Sequence, residues 1–251
     1  MLKQRSKPAW WPGMAPLAGI VAGCLRREPN RPEQLKKGCV FLLPGIEGTA
    51  WQLRGTVLGL REAGVDRGLE IVAWGSHPFG QLYNLCAIRA NRVRAARIAA
   101  RIADYQSAHP GAPVTLVGYS GGGGLAVLTA EALPDGVKLD RLILISAAVS
   151  PDYDLSGVLA RADGVLNYYS PRDWLILGLG TRVFGTIDRR RTPSAGRIGF
   201  RDASGRLLET PGLTQIAWRP EWQDLGHVGG HVGWLSRAWA REVLAKAIGH
   251  S

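Results

Sequence analysis

Cysteine is scarce in this sequence. Only Cys24, Cys39 and Cys86 occur among 251 residues, and no two of them form a Cys-x-x-Cys pair. Three cysteines are too few for the disulfide framework of a small secreted scaffold, and zinc ribbons and thioredoxin-like sites need paired thiols. The stability of the chain must therefore come from a hydrophobic core. The sequence leaves open whether Cys39 and Cys86 form a disulfide.

Long hydrophobic runs are also missing. Nothing in the body of the chain approaches the roughly 20 apolar residues that a membrane-spanning helix requires. Hydrophobic residues make up 46% of the chain and charged residues 20%. These proportions are typical of a folded globular protein and exclude a disordered or fibrous one.

Acidic residues are few relative to basic ones. The chain has 20 Asp and Glu against 31 Lys and Arg, which gives a net charge of +11. Such a balance raises nucleic acid and anionic lipid as possible partners. The arginines of the predicted helix Leu85–Ala108 lie at helical spacing without any nucleic-acid recognition motif. We therefore predict a solvated helix face and no nucleic-acid partner.

The first residues have the layout of an export signal. Three basic residues between Lys3 and Lys7 precede an uncharged stretch that ends in Ala22-Gly23-Cys24. A basic start, an apolar centre and small residues before the cleavage point are typical of a signal peptide. The final three residues resemble the bacterial lipobox, which implies that Cys24 is lipid-modified and becomes the mature N-terminus.

This reading divides the chain into three parts. We predict a signal peptide over residues 1–23, a tether over residues 24–37 and a folded domain over residues 38–251, since the tether has almost no apolar content. The protein would then be a lipoprotein of the bacterial cell envelope, held at a membrane by its N-terminal lipid. Proline and glycine weaken the apolar centre of the leader, so a cytoplasmic protein with a leader that is not a signal stays open.

Short β-rich runs alternate with helical stretches from Gly38 onward. This alternation predicts the α/β class, with a mostly parallel sheet flanked by helices. The predicted strands are Cys39–Leu43, Leu69–Trp74, Val114–Gly118, Arg141–Ala147, Val165–Tyr169 and Thr214–Trp218. The predicted helices are Trp51–Ala63, Leu85–Ala108, Gly122–Leu133, Asp154–Arg161, Trp174–Leu179 and Val232–Ile248. The long segment from Thr181 to Gly212 is predicted to form a flap or a small hairpin.

One motif carries chemistry. The strand that begins at Val114 runs into Gly118-Tyr119-Ser120-Gly121-Gly122, after which an apolar helix begins. A serine hydroxyl is a weak nucleophile that must project from a tight turn, and glycine at positions 118 and 122 permits that turn. The helix points its N-terminal backbone N–H groups at the serine, where they can stabilise an oxyanion.

In this motif the chain resembles the α/β-hydrolase superfamily, in particular its serine esterases and lipases. The resemblance implies that Ser120 is the nucleophile of a carboxylic ester hydrolase that forms an acyl-enzyme and needs no cofactor or metal ion. A turn after an early strand supplies the second oxyanion donor in that family, and Pro44-Gly45-Ile46 occupies this place. The implied donors are the backbone N–H groups of Ile46 and Gly121. Glu47 is interpreted as a turn residue or, less simply, as a substrate contact.

The family's order of serine, acid and histidine implies the other two catalytic residues. Asp173 follows the strand Val165–Tyr169, although an aspartate there could also cap a helix, and Asp152 and Asp154 are the alternatives.

For the histidine, His231 lies directly before the closing helix, and His227 competes with it. The spacing of the two histidines could also suggest a metal pair. The glycines between residues 226 and 230 argue against the helix that such a pair needs.

The predicted site is open and apolar. The stretch between the strands ending at Ala147 and beginning at Val165 is too short for the helical cap of many related hydrolases, so no large cap domain is predicted. An open cleft suits ester or lipid substrates, and its predicted apolar lining is Phe79, Tyr119, Leu155 and Trp174.

Two rival functions remain. Gly121-x-Gly123-x-x-Ala126 matches a dinucleotide-binding fingerprint, but the acidic residue expected after the next strand is replaced by Ser146-Ala147-Ala148. The second rival is a catalytically inactive surface lipoprotein that uses the hydrolase fold as a binding module. That rival requires that neither histidine reach Ser120.

Overall fold

The computed structural model describes residues 30–75, 84, 87–174 and 185–249. The predicted signal peptide, Cys24, Cys86 and Phe79 lie outside the described residues, as does most of the predicted helix Trp174–Leu179. None of the helices in the described ranges has the length and apolarity needed to cross a membrane.

A six-stranded sheet forms the centre of the domain, in the order β2-β1-β3-β4-β5-β6, and every neighbouring pair is parallel. The strands are β1 (Cys39–Leu43), β2 (Gly68–Ile71), β3 (Val114–Tyr119), β4 (Arg141–Ile145), β5 (Val165–Tyr169) and β6 (Leu213–Ala217). All six predicted strands are confirmed with small shifts of their ends. The carboxyl ends of parallel strands lie at one edge of the sheet, where the loops after β1, β3, β5 and β6 meet.

Helices cover both faces of this sheet. They are α1 (Pro32–Lys36), α2 (Arg54–Glu62), α3 (Ile88–Ala108), α4 (Gly121–Glu131), α5 (Ser156–Leu159) and α6 (Ala195–Ile198). Side chains alternate across a strand, so Phe41 of β1 packs in one core layer with α3 and α4, whereas Val40 packs in the other with α2 and the C-terminal helix. The mostly parallel α/β architecture is confirmed.

The C-terminal helix differs from the prediction of one continuous element from Val232 to Ile248. A 3-10 helix covers His231–Leu235, and the helical chain then restarts as Arg237–Trp239, a π-helical turn at Ala240–Leu244 and Ala245–Ile248. Ser236 separates the two parts because its backbone is extended, and its hydroxyl accepts a hydrogen bond from the N–H of Trp239. The serine acts as an N-cap. The apolar periodicity continues across Ser236, so it predicted one helix instead of two.

The compact unit begins at Arg31, earlier than the predicted start at Gly38. Residues 32–36, predicted as tether, form α1. Leu35 packs against the core, and its carbonyl accepts a hydrogen bond from the hydroxyl of Tyr105 at 2.5 Å. The packing of Leu35 and the hydrogen bond from Tyr105 hold this turn on the domain, and the composition of the segment did not indicate either contact.

The described part of the predicted flap is packed rather than open. Ile187, Ala195 and Phe200 are fully buried in the core, and an antiparallel bridge joins Arg201 to Leu207. This part is therefore a hairpin-like excursion held on the sheet. Between β4 and β5 the only helix is the short α5, so the chain places no cap domain there.

Candidate active site

Ser120 occupies a strained turn between β3 and α4. Its backbone has φ 55° and ψ −122°, a conformation that L-residues rarely adopt. Three backbone hydrogen bonds of 2.9 Å hold it there: its N–H donates to Ile145, and its carbonyl accepts from Gly123 and Ala148. The turn lifts the hydroxyl from the carboxyl edge of the sheet while leaving the serine only 5% exposed.

Two of the three predicted catalytic side chains reach Ser120 through hydrogen bonds in series. Nε2 of His231 lies 2.9 Å from Oγ of Ser120, and Nδ1 of the same ring lies 2.5 Å from Oδ2 of Asp173. His231 follows β6 and begins a 3-10 helix, whereas Asp173 lies in the loop after β5. The structure thus brings Ser120, His231 and Asp173 together in the order needed for proton transfer.

The imidazole of His231 is held from its backbone side as well. The hydroxyl of Tyr119 donates to the carbonyl of His231 at 3.0 Å, and the two rings lie 5.1 Å apart. Burial raises the pKa of Tyr119, with smaller contributions from the charges of Asp173 and Glu47. The phenol therefore stays protonated and remains a donor over the working pH range.

His227 lies in the core. Its side chain is fully buried, stacks on Trp222 and contacts Trp234, with ring centroids 6.0 and 4.1 Å away. Nδ1 accepts a hydrogen bond from the N–H of Gly229, which places the proton of the neutral ring on Nε2. In the described ranges no group of three or more His, Cys, Asp or Glu side chains could hold a metal ion.

The packing of His227 makes stability pH-dependent. Burial lowers the pKa of His227 from 6.5 to about 4, so below pH 6.5 the unfolded chain binds a proton that the folded chain does not. The stabilisation is complete above pH 6.5 and is lost progressively as the pH falls toward 4, by an amount on the order of 3 kcal/mol. Urea titrations at pH 4.5 and 7 measure it. His227→Asn, which keeps an acceptor near Nδ1, is expected to flatten this dependence, and an unchanged slope in the variant would contradict it.

The two alternative candidates for the catalytic acid, Asp152 and Asp154, do not contact His231. Asp152 forms an ion pair with Arg190 at the surface. Asp154 accepts a hydrogen bond of 2.9 Å from the N–H of Ser156 at the start of α5. Both carboxylates are thus engaged in local surface contacts, and neither hydrogen-bonds to His231.

The predicted oxyanion donors lie next to each other beside the serine. A Cβ built on Gly121 would stand 3.3 Å from the backbone nitrogen of Ile46, and one built on Gly45 would stand 3.4 Å from Cβ of Ser120. Neither N–H, of Ile46 or of Gly121, donates a hydrogen bond within the described part of the chain. Gln52 fixes the loop by accepting from the N–H of Gly45 at 2.6 Å. Two free backbone donors therefore lie side by side near the serine.

The glycines of α4 pack against protein. A Cβ on Gly122 would lie 2.2 Å from the carbonyl oxygen of Pro44, and one on Gly123 would lie 2.6 Å from Cβ of Ala147. A Cβ on Gly124 would collide with Ile187. These glycines allow close backbone approach within the fold, so the fingerprint that suggested a dinucleotide has a packing explanation.

Ser146 is a site residue that sequence reasoning missed. It follows β4, is fully buried and has φ 50°. Its hydroxyl donates to Oδ2 of Asp173 at 2.8 Å, the same oxygen that contacts His231. The available signal in the sequence is a serine directly after the strand that follows β3, at the carboxyl edge of the sheet.

We expect Ser146→Gly to lower kcat by about tenfold, because it removes one hydrogen bond to a charged carboxylate that orients His231. Glycine suits the positive φ, so the melting temperature should not fall through backbone strain. Ser146→Ala removes the same hydroxyl but keeps the strained backbone, and should lose similar activity. Equal kcat for both variants and the wild-type protein would show that the hydroxyl does not position Asp173.

A cavity of about 630 Å³ opens at these side chains. Its described lining is Ile46, Glu47, Trp51, Gln52, Arg54, Gly55, Leu58, Tyr119, Ser120, His231, Val232 and Leu235. Of the predicted apolar lining, Tyr119 takes part, whereas Leu155 is buried in the core and Trp174 does not line the cavity. Glu47 lines the cavity rather than being only a turn residue.

Known structures share this architecture. Aspergillus fumigatus lipase B aligns with a TM-score of 0.50 and 17% identity over 87% of this chain and 54% of the lipase. A predicted CIB-like hydrolase from Thermoplasma acidophilum aligns with a TM-score of 0.45 and 15% identity, over 85% of this chain and 86% of that chain. The type II thioesterase BorB from the borrelidin biosynthetic cluster aligns with a TM-score of 0.45 and 15% identity, over 88% of this chain and 93% of the thioesterase. No protein-family model and no curated protein matches the sequence. With the strand order and the turn at Ser120, the likeness to the lipase identifies the chain's architecture as the α/β-hydrolase fold.

Proposed function

We propose that this protein is a serine hydrolase that cleaves a carboxylic ester through an acyl-enzyme. The observation that carries the proposal is the hydrogen-bonded series Ser120–His231–Asp173 at an open cavity. A nucleophile, a base and a group that orients the base are the minimum that this chemistry needs.

In the first half-reaction Oγ of Ser120 attacks the ester carbonyl carbon while its proton passes to Nε2 of His231. The N–H groups of Ile46 and Gly121 stabilise the negative oxygen of the tetrahedral intermediate. The C–O bond to the leaving group then breaks, and His231 returns the proton to the departing alcohol. Asp173 holds Nδ1 throughout and stabilises the imidazolium.

In the second half-reaction water replaces the alcohol. It attacks the acyl carbon and gives a proton to Nε2 of His231, which passes it to Oγ of Ser120 as the carboxylic acid leaves. Every proton stays on His231, Ser120, water or product, so the proposed cycle needs no cofactor.

Ester or lipid substrates suit the cavity better than peptides. Its walls carry the apolar side chains of Trp51, Leu58, Val232 and Leu235, and it is open to solvent. An apolar acyl chain gains by leaving water there, at about 25 cal/mol per Å² buried.

Turnover of p-nitrophenyl butanoate and p-nitrophenyl palmitate by wild type, Ser120→Ala and a control tests the proposal. Ser107 is exposed on α3, so Ser107→Ala is a serine substitution away from the cavity. We expect wild type and the control to hydrolyse at least one ester and the Ser120 variant to hydrolyse neither. Absence of hydrolysis by folded wild-type protein would favour a non-catalytic binding module.

We also propose that Cys24 anchors the protein to a membrane of the bacterial cell envelope through a lipid. Expression in a bacterial host with radiolabelled palmitate is expected to label the wild-type protein and place it in the membrane fraction. Cys24→Ser should be unlabelled and released into the soluble fraction. An unlabelled wild-type protein would contradict the anchor and leave the hydrolase proposal unaffected.

A further inference from the structure

Apolar side chains from two parts of the chain line the cavity. Trp51 and Leu58 come from the helical segment after β1, and Val232 and Leu235 come from the 3-10 helix that begins at His231. Trp51 is 69% exposed and Val232 73% exposed, values that are unusual for large apolar side chains. Such a lining favours an extended apolar chain as the occupant.

Arg54 places a fixed positive charge in this apolar lining. It begins α2, is half-buried, and its guanidinium carbon lies 6.0 Å from the centroid of the Trp51 ring. Other arginines at the surface, such as Arg101 and Arg237, form ion pairs with glutamates. Arg54 has no carboxylate within ion-pair distance in the described ranges.

A guanidinium with free donors recognises carboxylates through paired hydrogen bonds, and an aromatic face keeps its plane oriented. Among the described lining residues Arg54 is the only one with a permanent positive charge. Glu47 lines the same cavity, and its charge contributes to the raised pKa of Tyr119 beside the triad. An anionic group of a bound molecule is thus attracted by Arg54 and repelled by Glu47.

We propose that the cavity binds an ester whose apolar chain carries a carboxylate at its far end, and that Arg54 binds this carboxylate. The substrate class is then a half-ester or a related acidic ester, which rests on the proposed hydrolase function. Arg54 determines specificity and takes no part in bond breaking.

The test compares esters matched in length. In the first series the carboxylate is on the acyl side of the ester: kcat/KM of the p-nitrophenyl monoesters of adipic and suberic acid is compared with that of p-nitrophenyl hexanoate and octanoate. In the second series the carboxylate is on the leaving group: the butanoate ester of 4-hydroxybenzoate is compared with that of 4-hydroxybenzamide. In one of the two series we expect wild type to prefer the anionic ester, and Arg54→Gln to reduce kcat/KM about tenfold for that ester only.

Three further variants test whether the charge and the planar shape of Arg54 determine this preference. Arg54→Lys keeps the charge without the planar fork and should retain part of the preference. Glu47→Gln should increase the preference, because it removes the carboxylate that opposes an anion. Arg89→Gln, an exposed arginine of α3 that does not line the cavity, should change nothing.

Binding affinity can be measured independently of turnover. Calorimetric titration of Ser120→Ala with monomethyl and dimethyl suberate should show tighter binding of the monomethyl ester, and adding Arg54→Gln should abolish the difference. Equal binding of the two esters, or a difference that survives Arg54→Gln, would overturn the assignment. Absence of turnover in wild type would instead count against the hydrolase function, so the two failures are distinguishable.

Discussion

Replacement of His231 by alanine is expected to lower kcat by roughly 10⁴- to 10⁶-fold while leaving the protein folded. The imidazole contacts both Ser120 and Asp173, so its loss removes the base and the proton donor together. Its side chain is partly exposed at the cavity, and truncation there opens no large void in the core. Steady-state rates on p-nitrophenyl butanoate and a thermal melt measure the two quantities.

The other histidine provides the matched control. His227→Asn is expected to lower the melting temperature, since the ring fills space among tryptophans, while the folded fraction retains most of its kcat. The two substitutions thus separate a catalytic from a packing histidine. An inactive His227 variant beside an active His231 variant would reverse the assignment.

Gly122→Ala is expected to destabilise the fold by about 3 kcal/mol or more and to abolish activity. The added Cβ would lie 2.2 Å from the carbonyl oxygen of Pro44 and 2.4 Å from that of Leu43. Both oxygens belong to backbone at the end of β1, so a shift would move the turn that carries Ser120 and the proposed oxyanion donor, the N–H of Ile46. Denaturant titration gives the change in the free energy of unfolding.

Gly164→Ala is the corresponding control, because nothing lies within 4 Å of its Cβ position and its φ is not positive. It should change stability by less than about 0.5 kcal/mol. A Gly122 variant as stable as this control would show that β1 and α4 do not approach as closely as described.

The strands were predictable because each is a short run of apolar residues buried in a parallel sheet, as in Cys39–Leu43. Helix ends were less predictable because they depend on single contacts. Ser236 interrupts the closing helix by capping Trp239, and Leu35 fixes α1 by packing on the core. Neither contact leaves a periodic pattern.

The site residues likewise include some that the sequence predicts and some that it does not. Ser120 has a local signature of a strand, glycines and a helix, and the order of the later strands indicated the regions of Asp173 and His231. Ser146 and Arg54 have no such signature, since their roles depend on which neighbours the fold brings beside them. The wall from Trp51 to Leu58 was likewise missed, because α2 reads as an ordinary amphipathic helix.

The two layers of core explain how the site stays assembled. Phe41 and Val40 anchor β1 in opposite layers, so the loop after β1 is held from both faces of the sheet. The strained Ser120 is fixed by hydrogen bonds to Ile145 and Ala148 on the neighbouring strand and loop. Preorganisation of this kind would let the N–H groups and the imidazole of the proposed mechanism keep their places during the reaction.

Reaction with a fluorophosphonate, followed by intact mass measurement and peptide mapping, tests the central claim most directly. Oγ of an activated serine attacks phosphorus and gives its proton to His231, fluoride leaves from phosphorus, and a stable phosphonylated serine remains. The account predicts one adduct per chain on Ser120, absent from Ser120→Ala and strongly slowed in His231→Ala. A folded wild-type protein that remains unmodified, or one modified at another residue, would contradict it.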